Sequence, residues 1–247
     1  MMATDGQPTE PVVRCSELRR RFGEGEASVD ALDGVTLRFP VGQLTGIAGP
    51  SGSGKSTLMH VLAGLDRPTG GHVWIGGTEI TSLGDAELTR LRRDKLGFVF
   101  QFFNLVPVLN AEENVTLPLR IAGRKPDTEW LETLLETVGI ADRRTHRPAE
   151  LSGGQQQRVA IARALITKPA VVFADEPTGN LDSTSSEHVL ELLRRSVDEL
   201  GGTVILVTHD PHVAAYADRV LMLVDGKIAS DTAVESESQV HELMQAV

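Results

Sequence analysis

Apolar residues along this chain gather into short dense runs separated by glycine-rich turns, and their spacing changes character twice. Val12 to Leu18, Val35 to Phe39, Leu44 to Ala48, His72 to Ile75 and Leu96 to Phe100 read as strands. The turn Gly76-Gly77 predicts a hairpin. Arg19-Arg20-Arg21-Phe22-Gly23-Glu24-Gly25 predicts a loop, with its three arginines on a solvated face. From Gln101 to about residue 165 the pattern turns helical. There, Thr128 to Val138 carries Leu131, Leu134, Leu135 and Val138 on one face, between Pro126-Asp127 and Gly139. After that, strands and helices alternate: strand Val171 to Ala174, helix Ser186 to Leu200, strand Val204 to Thr208, a short helix after Pro211, and strand Arg219 to Val224. Such alternation predicts an α/β fold with a mostly parallel sheet covered on both faces, into which a helical lobe is inserted. Val240, Leu243, Met244 and Val247 predict a final helix, and the polar tail before Pro11 is expected to be mobile.

Composition narrows the class. The 247 residues, 40% of them hydrophobic, are enough for one large α/β domain. A formal charge of −10 argues against a broad nucleic-acid footprint and against general attraction to anionic lipid. Cys15 is the sole cysteine, so no intrachain disulfide forms and a reducing compartment is expected. The first residues lack the basic start and apolar stretch of a signal peptide, and no apolar run approaches the roughly 20 residues of a spanning helix. The chain reads as a soluble, cytosolic protein.

Its chemistry centres on Gly49-Pro50-Ser51-Gly52-Ser53-Gly54-Lys55-Ser56-Thr57, which fits G-x-x-x-x-G-K-[ST] between a strand and an apolar helix start. Glycines there let backbone N–H groups turn onto an anion, and the helix N-terminus adds its positive dipole end. Lys55 is placed to reach the β- and γ-phosphates, and the Ser56 hydroxyl to hold Mg²⁺. Asp175 and Glu176 fall at the carboxyl end of a buried-strand pattern, where open α/β sheets bind ligands. Asp175 would support Mg²⁺ and Glu176 would polarise an attacking water. His209 and Gln101 also follow strands: His209 is placed to touch a γ-phosphate, and Gln101 to join the Mg²⁺ and water network. In Leu151-Ser152-Gly153-Gly154-Gln155, Ser152 suits an N-cap for a helix read as Gln156 to Ile166. The two glycines leave that helix end bare enough for a phosphate.

Together these residues resemble the nucleotide-binding subunit of ATP-binding cassette transporters, over about Val12 to Ile228. The resemblance implies a P-loop core with an N-terminal antiparallel β subdomain and a helical subdomain over about 103–165. The whole of 1–247 would be one domain, with a C-terminal extension over about 230–247. It also implies that Phe22 stacks on adenine, keeping the π-face of a position that is often tyrosine. In such proteins two subunits pair head to tail, burying two ATP molecules. Ser152, Gly153, Gly154 and Gln155 would close on the partner's γ-phosphate, and Asp182 would link the two sites. A separate membrane permease would dock near Phe102, Phe103, Asn104, Leu105 and Val106, with Phe98 and Phe100 as strand core. The subunit would then sit peripherally on the cytoplasmic face of the membrane and bind no nucleic acid.

Phe100 to Pro107, Glu113 to Leu119 and Ala174 to Ser183 resemble the macrolide-exporting, lipoprotein-releasing and cell-division branch of that family. Its permeases have few spanning helices and a large extracytoplasmic domain, and the output is export, lipoprotein release or transmembrane force. No extra C-terminal regulatory domain is expected. An amino-acid importer ATPase is an alternative, but its loop after Leu181-Asp182 usually continues with proline, where this chain has Ser183-Thr184. A non-transport cassette acting on DNA or ribosomes is another, although the coiled-coil insertion or second cassette of those proteins does not fit in 247 residues.

Overall fold

The computed structural model describes residues 10–246. Two sheets form its frame. The smaller is antiparallel, in the order β2-β1-β4-β5, from β1 (Val13–Phe22), β2 (Val29–Phe39), β4 (Gly70–Ile75) and β5 (Thr78–Glu79). The larger has the order β10-β9-β3-β8-β7-β6. It contains β3 (Leu44–Ala48), β6 (Leu96–Phe100), β7 (Val171–Asp175), β8 (Val204–Val207), β9 (Arg219–Val224) and β10 (Lys227–Ala233). Its pairings are parallel except β10 with β9. The helices are α1 (Lys55–Leu62), α2 (Asp85–Lys95), α3 (Ala111–Ile121), α4 (Thr128–Thr137), α5 (Gly153–Leu165), α6 (Ser183–Asp198), α7 (Pro211–Ala214) and α8 (Glu237–Gln245).

Strand periodicity divides the core in two. On the central strands, Leu44, Ala48, Val172, Ala174, Val204, Leu206, Val220 and Met222 face one cluster, which also holds the apolar faces of α3, α4, α5 and α6. Their neighbours Ile47, Val171, Phe173, Ile205, Val207, Leu221 and Leu223 face the other cluster, with α1 and the antiparallel sheet. Successive side chains point to opposite faces of a strand, so a strand buried on both sides must be apolar throughout. Within the helical lobe, Arg144 bonds Glu112 at 2.6 Å and Glu132 at 2.9 Å, tying α3 to α4.

The elements differ from the sequence expectations at several places. β1 continues through Arg19–Phe22 because its arginines are neutralised locally. Arg21 forms a fork with Asp30 of β2 at 2.6 and 2.7 Å, so charge does not end the strand. α5 begins at Gly153 and α6 at Ser183, three residues before each predicted start, because Ser152 and Asp182 cap them. Two elements had no apolar signal. α2 buries only Leu88 among its eleven residues, and β10 is an edge strand of alternating exposed and half-buried residues. The extension placed at 230–247 therefore begins inside a sheet strand and ends in α8. The tail before Pro11 lies outside the described residues except for Glu10, and Val247 lies outside them.

Candidate active site

β3 delivers the chain to the glycine-rich loop at Ala48, and α1 leaves it at Lys55. Two glycines there are fixed by space as well as by dihedral angle. At Gly49 (φ +148°) a Cβ would lie 2.1 Å from the Leu223 carbonyl oxygen, and at Gly54 (φ +103°) it would lie 2.3 Å from that of Ala31. Gly54 is the N-cap of α1 and offers no side chain to the first amides, which therefore remain open to an anion. The Lys55 ammonium folds back on the loop, donating to the carbonyls of Gly49 at 2.9 Å and Pro50 at 2.7 Å. Burial lowers its pKa from the ordinary lysine value, against the opposing charges of Glu176 and Asp175. A phosphate at the loop would meet a cation already held in place.

A cavity of about 480 Å³ opens over this loop. It is lined by Phe22, Ala31, Ser51, Gly52, Gly54, Lys55, Ser56, Thr57, Glu176 and His209, so β1, β2, the loop into α1 and the segments just past β7 and β8 meet at one place. β7 brings up Asp175, whose Oδ1 accepts from the Ser56 hydroxyl at 3.2 Å. Burial raises the pKa of Asp175, with the Ser56 hydrogen bond opposing. The next residue, Glu176, has φ +45°, a left-handed conformation that a non-glycine residue adopts only under constraint. Its amide donates to Val207 O at 3.0 Å. Its Oε1 lies 2.7 Å from His209 Nδ1, and Thr208 Oγ1 donates to its Oε2 at 3.4 Å. The main-chain bond crosses to β8, so carboxylate and imidazole meet because their strands are neighbours.

Gln101 is placed differently. Its side-chain amide donates to Asn180 Oδ1 at 3.4 Å, and Asn180 Nδ2 donates back to Gln101 O at 3.0 Å; Gln101 does not line the cavity. Ser152 to Gln155 do not line it either. The Ser152 hydroxyl accepts from Gln155 N at 3.3 Å and its amide donates to Gln155 Oε1 at 2.9 Å, a reciprocal cap at the exposed end of α5. Asp182 caps α6, accepting from Ser185 N at 2.9 Å and Ser185 Oγ at 2.7 Å.

Sequence reasoning missed Gln157 and Asn180. Gln157 is fully buried on the inner face of α5 and donates to the carbonyls of Phe100 and Pro177, joining that helix to the ends of both chemistry-bearing segments. The available signal was a polar residue on an apolar stripe. Asn180 lies in a segment already singled out, but its bond to Gln101 has no spacing signature.

Phe98 and Phe100 are half-buried and line a groove of about 390 Å³ with Leu65, Arg92, Asn104 and Arg163; Phe98 also packs against the core, stacking on the buried Phe173, whereas Phe100 does not reach it. Leu105 packs against the core, Val106 is held by the buried Asn114, and Phe102 is 72% exposed. Arg163 donates to the carbonyls of Phe103 and Asn104, two residues with positive φ, and so holds the turn.

The profile of the family described as ABC transporter matches residues 32–179. The macrolide export ATP-binding/permease protein MacB of Marinobacter nauticus is 48% identical over 230 residues, which are 92% of this chain and 36% of that protein. The lipoprotein-releasing system ATP-binding protein LolD of Geobacter metallireducens is 48% identical over 217 residues, 87% of this chain and 96% of that protein. A solved ATP-binding cassette, a dimer in a post-hydrolysis state bound to ADP and Pi, has a TM-score of 0.81 at 41% identity and covers 91% of this chain and 99% of its own. The chain thus spans about a third of the first relative and almost all of the second.

Proposed function

Because the chain belongs to the ABC transporter family, as an ATP-hydrolysing nucleotide-binding subunit, we propose that it works as a head-to-tail dimer driving a separate membrane permease of the macrolide-export and lipoprotein-release type. The observation that carries this reading is the convergence of Lys55, Ser56, Glu176 and His209 on one cavity at the start of α1. A cation, bare helix amides and a carboxylate near a histidine are what transfer of a phosphoryl group to water needs.

In this reading the triphosphate lies along Gly49 to Thr57 with Lys55 on its outer phosphates, and the adenine stacks on Phe22 at the cavity rim. Ser56 and Asp175 are hard oxygen donors that already converge, which fits Mg²⁺ better than a softer metal. They would hold it, and the ion would supply neutralising charge at the phosphates. Glu176 accepts a proton from the attacking water as an oxygen–phosphorus bond forms and the bond to the ADP oxygen breaks. His209 steadies that carboxylate. Gln101, now paired with Asn180, would turn inward when the site fills.

Ser152 to Gln155 cap their own helix and pack Gly154 against Ser185, yet they stand outside the cavity of their own chain. This supports a role against the γ-phosphate of a second copy. The groove of Phe98, Phe100, Asn104 and Arg163 supports docking of a permease segment, as does the 72% exposure of Phe102. No helix among the described residues is long and apolar enough to cross a membrane. The proposed location is therefore the cytoplasmic face of the membrane, through that partner.

The test is to trap the Glu176→Gln chain with ATP in native membranes and identify what copurifies. Hydrolysis is expected to fall about 10²- to 10⁴-fold with ATP binding retained, alongside a permease with few spanning helices and a large extracytoplasmic domain. A many-helix importer would replace this branch by the importer reading, and parental turnover would remove Glu176 from its role.

A further inference from the structure

The three consecutive arginines of β1 are not equivalent. Arg19 and Arg21 have side chains 55% and 57% exposed, in surface pairs with Asp33 and Asp30, whereas Arg20 is 22% exposed. Its guanidinium forms a two-pronged bond to Asp66, Nε to Oδ2 at 2.8 Å and a terminal nitrogen to Oδ1 at 3.0 Å. Asp66 is itself anchored, because its amide and that of Leu65 donate to His60 O at the end of α1. The guanidinium carbon stands 4.4 Å from the centroid of the Phe22 ring. Phe22 lines the cavity and is 44% exposed; Arg20 does not line it.

We infer that Arg20 is a positioning residue for purine recognition, fixing the Phe22 ring from behind so that its open face is ready to take the base. The inference rests on Phe22 as the base platform. A half-exposed phenylalanine at a rim rotates freely unless something holds it, and ordering it on binding would weaken stacking. Arg20 supplies a flat, charged surface that a carboxylate locks in plane, and a guanidinium attracts the π-face it covers. The arrangement links the two ends of α1: its first turn faces the phosphates, and its last turn, through Asp66 and Arg20, fixes the ring for the base.

The test measures affinity for ATP and for inorganic tripolyphosphate, both with Mg²⁺, by calorimetry on the full chain carrying Glu176→Gln. Arg20→Ala is expected to weaken ATP about two- to fivefold, the size of one exposed cation–π contact, and to leave tripolyphosphate affinity unchanged. Arg20→Lys keeps the charge without the planar fork and should recover only part of the loss. Asp66→Asn, which leaves arginine and ring in place but unlocks them, should shift ATP in the same direction. Equal weakening of both ligands by Arg20→Ala would mean general loosening of the strand and would overturn the inference. So would unchanged ATP affinity in a protein where Phe22→Ala weakens ATP selectively. If Phe22→Ala itself leaves the ratio of the two affinities unchanged, the base platform fails first, and the inference with it.

Discussion

The loop at Gly49 to Thr57 and the helix end at Ser152 to Gln155 share a chemistry but differ in completeness. Both present helix N-termini stripped of bulky side chains. The first is surrounded by its own chain: Lys55 is bonded to the loop, Asp175 to Ser56, and Glu176 with His209 stands opposite. The second is capped, with Ser152 exposed and Gly154 buried against Ser185, and it does not line that cavity. In the proposed head-to-tail pairing, the first region is one half of a site and the second completes the site of another copy. On that proposal the working unit is larger than the chain.

The largest expected effect tests that statement directly. Lys55→Ala should lower hydrolysis about 10²- to 10³-fold by removing a preorganised cation, with nucleotide binding impaired. Ser152→Arg should lower hydrolysis as severely while the chain still binds ATP. Mixed in equal amounts, the two variants should regain at most about a quarter of the parental rate, since half the dimers are mixed and each keeps one intact site. Steady-state phosphate release measures it, and a mixture as inactive as its components would mean that the two regions do not meet.

A smaller effect concerns the tie between the regions. Gln157→Ala leaves the carbonyls of Phe100 and Pro177 without this donor, so unfolding by urea should show a loss of about 1–3 kcal/mol. Hydrolysis should fall further than the folded fraction does, because α5 and the Glu176 segment lose a common anchor. Proportional falls would reduce Gln157 to packing.

Smaller still is Ser53→Ala. The Ser53 hydroxyl is buried and has no hydrogen-bond partner among the described residues, so it is free to serve a bound phosphate. Without nucleotide the variant should keep its stability within about 0.5 kcal/mol. The rise in melting temperature on adding ATP should shrink. An equal rise in both proteins would leave that hydroxyl without a ligand.

The last prediction is a control outside both regions. His212 lies between Glu237 of α8 and Glu187 of α6, at 3.0 and 2.6 Å, and its pKa is raised above 6.5, chiefly by Glu237 and then by Glu187. The protonated form is the one stabilised. Its contribution is therefore complete below pH 6.5 and is lost as pH rises through the raised value. His212→Asn should reduce the urea midpoint more at pH 6 than at pH 9, and a pH-independent difference would assign the residue to packing alone.

Much of this was legible because the strands of the larger sheet are short dense apolar runs, so Leu44–Ala48, Leu96–Phe100 and Arg219–Val224 match their predicted ends. The glycine-rich loop and Glu176 were legible because their chemistry is written in contiguous residues. What escaped depends on distant partners. β1 runs through three arginines because acids from elsewhere neutralise them, and α2 and β10 are stable at the surface with almost no apolar face. Gln101 pairs with Asn180, 79 positions away. The groove beside Phe102 to Val106 is built from Leu65, Arg92, Phe98, Phe100 and Arg163 together with Asn104, which no single stretch contains.

The carbonyls of Ala31 and Leu223 press against Gly54 and Gly49 whether or not ATP is ever cleaved. Any side chain at either position would have to displace main chain from one of two different sheets. Selection on folding alone would then conserve these two glycines, and a descendant that had lost turnover would still carry them. Decay of the enzyme would first become visible at Glu176 and His209, whose replacement costs the scaffold far less.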